Sequence, residues 1–139
     1  RDFGHDIDNM DDPYAAGLGF AVALAKPGGF LGQEAAQAAY DRPRTSRLVS
    51  VLVGGMDVPL VHGEVLRRDE EVIGYLRAGS YGWSVGGAVG LAMVTRTDGV
   101  VDKDWMTSAD VSVEVAGARY PATLSLAPLY DPRSERVRA

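Results

Sequence analysis

Five aspartates, Asp2, Asp6, Asp8, Asp11 and Asp12, crowd the segment Arg1 to Pro13. That density raises the chemistry of a calcium loop, which needs oxygen ligands at alternate positions, a glycine at the sixth and a glutamate at the twelfth. Counted from Asp6, the sixth position is Asp11, so the segment reads as a solvated acidic loop. Glycine offers a second possibility. Gly79, Gly82, Gly86, Gly87 and Gly90 fall within one short stretch, as in a phosphate cradle. A cradle needs a helix start and a lysine to follow. Here Ala88 to Val94 is small, apolar and strand-like, so the glycines read as a tight β-crossing plugged by Tyr81 and Trp83. The two histidines, His5 and His62, are far apart and neither has a partner at ligand spacing. With no cysteine there is no disulfide, thiolate metal site or thiol nucleophile.

The elements that would position these residues are mostly strands. Ala15 to Leu24 alternates Leu18, Phe20, Val22 and Leu24 among small residues and is expected to be a buried strand. Lys26-Pro27-Gly28-Gly29 breaks it. Leu31 to Tyr40 is alanine-rich and reads as a short helix with a stripe of Leu31, Ala35, Ala38 and Ala39. Asp41-Arg42-Pro43 ends it, and beyond it the pattern is strand and turn. Arg47 to Val53 is a strand closed by Gly54-Gly55. Val65 to Arg68 and Val72 to Ala78 flank Asp69-Glu70-Glu71 as a hairpin. Thr95 to Asp110 is a polar loop that tucks Trp105 and Met106 onto the sheet. Val111 to Val115, the turn Ala116-Gly117 and a returning strand from Arg119 to Leu124 make a final hairpin. The tail carrying Arg133, Arg136 and Arg138 is expected to be exposed. The fold class is mainly β, α+β overall: a strand–helix remnant followed by a closed or nearly closed antiparallel β-barrel.

A chain of 139 residues with 46% hydrophobic content can pack one core, and a net charge of −5 spread along it argues against binding nucleic acid. No apolar run reaches the roughly eighteen residues that would span a membrane. The composition suits a cytoplasmic protein. Position 1 is an arginine, so the text reads as a fragment or a processed chain.

Several strings in order carry a resemblance: FGHDIDNMDDPYAAGLGFAVAL, FLGQEA, RLVSVLV, VIGYLRAGSYGWSVGGAVGLAMV and PLYDP. Together they resemble the C-terminal part of the glycine cleavage T-protein (aminomethyltransferase) family, nearest to the folate-binding half of sarcosine and dimethylglycine dehydrogenases. The resemblance implies a tetrahydrofolate-dependent one-carbon transfer module. Residues 1–43 would end the middle folate-binding domain and residues 44–139 would form the C-terminal barrel. The catalytic aspartate and any FAD domain would lie upstream, so no catalytic residue is expected in this chain.

The resemblance assigns cofactor binding to Arg47, whose fork suits the carboxylates of a folate tail. It also implies a pterin-binding glutamate in a P-x-E-A-G-L motif, which stands here as Pro13 to Leu18 with Ala15 in place of the glutamate. A methyl group accepts no hydrogen bond, which leaves Asp11 or Asp12 to reach the pterin. The alternative is a structural or interaction barrel that keeps the fold without folate. The expected partners are folate, the rest of the parent chain, and a second copy pairing through the Leu18–Leu24 strand.

Overall fold

The computed structural model describes residues 1–54 and 58–138. Seven strands form one antiparallel sheet: β1 (Ser46–Gly54), β2 (Val65–Arg68), β3 (Glu71–Gly82), β4 (Gly87–Thr95), β5 (Val111–Val115), β6 (Ala118–Pro121) and β7 (Thr123–Ser125). Their order across the sheet is β6-β5-β2-β3-β4-β1-β7. The two edges, β6 and β7, are consecutive in sequence and joined through Ala122 alone. Adjacent Cα atoms are about 3.8 Å apart, so one linking residue forces the edges together and the sheet curls into a barrel. The returning strand expected over Arg119 to Leu124 is therefore two strands. Its first half pairs with β5 and its second half with β1.

Period-two alternation decides which side chains fill the barrel. On β1, Val49, Val51 and Val53 are at most 1% exposed and face inward with Ala88, Ala92 and Val94 of β4. Leu66 of β2 and Leu76 of β3 complete the same cluster. The region expected to be a polar loop contains a short helix, α2 (Lys103–Thr107), capped by Asp102, whose Oδ1 accepts the Trp105 N–H at 2.8 Å. As expected, Trp105 and Met106 are buried against the sheet. The glycine-rich crossing is a hairpin: β3 runs on to Gly82 and β4 starts at Gly87. Trp83, at its tip, is 87% exposed and plugs nothing. The Arg133, Arg136 and Arg138 tail is exposed, as expected.

Residues 15–24 are not a strand. They form turns and a 3₁₀ segment at Gly19–Ala21, and Phe20 is 88% exposed. Only Val22 in that stretch is β-branched, so strand propensity is weak. Upstream, the Asp12 carboxylate accepts the N–H groups of Tyr14 and Ala15 at 2.8 and 2.9 Å and bends the chain into a turn. Gly17 continues the turn at a φ of 68°. Without that strand, the edge expected to recruit a second copy is absent. The helix α1 spans Gln33–Asp41, two residues later than expected at its start, because Gly32 sits in the left-handed region at its N-cap. Leu31 consequently lies outside the helix and is fully exposed, and Ala39 is the buried residue of α1. The expected closing glycine Gly55 lies outside the described residues. Among the described residues, no helix is long and apolar enough to cross a membrane.

Candidate functional site

The outward face of β1, β4 and β3 is covered at one end by the acidic N-terminal segment. A β-bulge between Leu76 and Ala78 displaces Arg77 from the ladder. Its guanidinium binds both oxygens of Asp11 and donates to the Asp6 carbonyl at 3.0 Å. Burial raises the Asp11 carboxyl, but hydrogen bonds from Arg77 and from the Asp8 N–H outweigh that and hold it below the usual range. The aspartates thus serve as acceptors that shape the segment. Asp8 accepts the Met10 N–H at 2.7 Å, and buried Asp6 accepts the Asp2 N–H at 2.9 Å.

Ala15 is tied to the barrel where its carbonyl accepts the Leu48 N–H at 2.8 Å. That bond sets the Pro13–Leu18 turn against β1 one residue from Arg47, whose side chain does not line the cavity formed there. Ala15, Asp12, Arg44 and Ser46 line a small cavity of about 110 Å³ there. Asp11 is bound at both oxygens by Arg77, whereas Asp12 gives Oδ1 to the turn and lines the cavity beside Ala15 with a second oxygen that makes no hydrogen bond among the described residues.

Arg47 shares its register face with Val49 and Val51, which makes it a partly buried cation at the end of the barrel's inward row. Burial, and then the charge of Arg44, push its guanidinium below the usual value. Among the described residues no carboxylate pairs with it. Arg44 has other work. It donates to the α1 carbonyls of Ala39 and Tyr40 at 3.0 and 2.9 Å. Its guanidinium also lies 4.9 Å from the Tyr14 ring centroid and 5.8 Å from that of Tyr40. Arg47 is therefore a partly buried cation with no carboxylate partner among the described residues.

Two features escaped the sequence. His5 and His62 come together with ring centroids 5.7 Å apart, and Asp6 Oδ1 lies 3.2 Å from His5 Nδ1. Nothing in their spacing signals this, since the fold alone closes a gap of that length. The second is a cleft of about 510 Å³ on the uncovered part of the outward sheet face, between Trp83 and Tyr130. The sequence singled out Trp83 at this turn, but as a plug and not as the wall of an open cleft.

An antiparallel barrel closed by consecutive edge strands, with a helical and acidic N-terminal arm strapped to its outer face, defines a β-barrel module. The Glycine cleavage T-protein C-terminal barrel domain family matches residues 46–131, and the chain belongs to that family. It is 39% identical over 138 residues to 4-methylaminobutanoate oxidase (formaldehyde-forming) of Paenarthrobacter nicotinovorans, covering 99% of this chain and 16% of that protein. It is 29% identical over 139 residues to the mitochondrial sarcosine dehydrogenase of Homo sapiens, covering 99% of this chain and 15% of that protein. The chain thus spans about a sixth of the length of these relatives. The fold is similar to that of the glycine cleavage system aminomethyltransferase T from Bartonella henselae. The TM-score is 0.72 at 23% identity, covering 91% of this chain and 34% of that one.

Proposed function

We propose that this chain is the C-terminal portion of a tetrahydrofolate-dependent one-carbon transfer module in a flavin-dependent oxidase or dehydrogenase of N-methylated amines. On this reading residues 1–43 close the folate-binding domain and residues 44–139 are the barrel beside it. The observation that carries the proposal is Arg47, a half-buried guanidinium next to a second cation, with no carboxylate partner among the described residues. A partly buried guanidinium that feels the charge of Arg44 favours an anion beside it, and the carboxylates of a folate tail are anions that an arginine fork grips well. The relatives named as amine oxidase and sarcosine dehydrogenase along nearly the whole chain support the same reading.

Tetrahydrofolate, when bound, supplies the N5 nitrogen that takes up the one-carbon unit. This chain's part is to bind: Arg47 holds the tail, and the Asp12–Ala15 turn shapes the neighbouring wall. The test compares tetrahydrofolate carrying a polyglutamate tail with a tail-less pterin, in the wild type and in Arg47→Ala. Loss of a charged hydrogen-bonding pair should weaken the tailed ligand about tenfold or more and leave the pterin within about twofold. Equal losses for both ligands would place Arg47 away from the tail.

One observation favours a second reading, a barrel that keeps the fold without folate. The Ala15 side chain offers no acceptor, and the nearby Asp11 carboxylate is bound at both oxygens by Arg77. In that case neither ligand binds the folded protein.

A further inference from the structure

The cleft at the β3–β4 turn belongs to none of this. Its walls are Trp83 on one side and Pro128, Leu129 and Tyr130 on the other, and its floor includes Val89 and Leu91. These floor residues, with Ser50 and Ser80, lie on the outward register of β1, β3 and β4, opposite the face that carries Arg47.

Both aromatic walls are held in place. Tyr81 meets the Trp83 ring edge-on at 4.7 Å and 68°. Arg136 donates to the Tyr130 hydroxyl at 2.9 Å and lies 5.4 Å from its ring centroid. Trp83 is nevertheless 87% exposed and Tyr130 47% exposed, so each offers a ring face or edge to a third body. Leaving an indole that open forgoes one of the largest apolar burials a side chain can make.

Between the rings the cleft is apolar, and among the described residues no charged side chain lines it. The hydroxyls of Ser50, Ser80 and Ser84 supply the polar groups, and none of the three is spent on a side-chain hydrogen bond among the described residues. At about 510 Å³ the volume falls in the range of small-molecule sites, where apolar walls with a few placed polar groups set orientation.

We propose that the cleft between the β3–β4 turn and Pro128–Tyr130 binds an uncharged, planar aromatic ring that carries a hydrogen-bonding substituent. The ring stacks against Trp83 and Tyr130, and the substituent meets the serine hydroxyls. A puckered ring of equal size loses the stacking. The proposal stands apart from the folate reading, since it uses neither Arg47 nor the Asp12–Ala15 turn.

The test uses p-aminobenzamide as the probe and cyclohexanecarboxamide as its non-planar counterpart, followed by NMR on the full chain. The two tryptophans make an internal control, because Trp83 is exposed and Trp105 is buried. The expected result is saturable binding of p-aminobenzamide that shifts the Trp83 indole resonance and spares Trp105. Its affinity should fall about threefold to tenfold in Trp83→Ala and be largely kept in Trp83→Phe, with cyclohexanecarboxamide clearly weaker. Absence of saturable binding overturns the proposal. So does equal affinity for the two probes together with indifference to Trp83→Ala, which would mean a generic apolar patch.

Discussion

Asp11 is 10% exposed at its side chain and bound to Arg77, so the pair carries consequences for pH that a surface pair would not. Its carboxyl is held below the usual range, so its contribution to stability is complete above the unfolded value, about 3.9. That contribution is lost as the pH falls through the lower folded value. The N-terminal arm should therefore stay docked at neutral pH and loosen below about pH 4. Amide exchange at Leu48, whose N–H is covered by the Ala15 carbonyl, reads this directly. Arg77→Ala should cost about 1–3 kcal/mol and flatten the acid dependence. An unchanged acid profile in that variant would show that the arm is held by something else. None of this was legible beforehand, because the bulge that aims Arg77 at Asp11 leaves no mark in the residue pattern. The aspartate cluster was visible, but its work as acceptors for local N–H groups was not.

The elements were easiest to read where side-chain period and turn chemistry agreed. Val111, Val113 and Val115 alternate before Ala116-Gly117, and the hairpin is there, with φ of 49° at Ala116 and 80° at Gly117. Both central residues in the left-handed region mark a type I′ turn, which favours asparagine at the first position over alanine. Ala116→Asn should raise stability by about 0.5–1 kcal/mol in chemical denaturation, and no gain would mean that the strain is relieved elsewhere. The misread element, Ala15 to Leu24, shows the converse. An apolar alternation built on alanine and glycine has little strand preference, and the Asp12 turn decides its path. Glycine in the barrel wall has a packing reason. A Cβ on Gly79 would lie 2.4 Å from the Leu60 carbonyl carbon and 2.6 Å from its oxygen. Gly79→Ala should therefore destabilise by about 1–3 kcal/mol through forced movement of the Leu60 backbone, measured by the same denaturation. A neutral result would show that the Leu60 segment yields freely.

For the whole molecule, the sequence carried a barrel through its strand count and short turns, but not how the barrel closes. Closure rests on Ala122, where one apparent strand changes partner from β5 to β1. No propensity scale marks that change, because both halves are equally extended. The same closure leaves Arg47 on the inward row, where it is a partly buried cation. The barrel is proposed to serve a folate-dependent one-carbon transfer module. The most direct measurement is a calorimetric titration of tetrahydrofolate into the complete protein that carries this chain, repeated with Arg47→Ala and with residues 1–139 alone. Saturable binding to the complete protein is expected, clearly weakened by Arg47→Ala and weak or lost in the isolated chain. No heat of binding from a demonstrably folded complete protein would contradict it and leave the barrel as a scaffold.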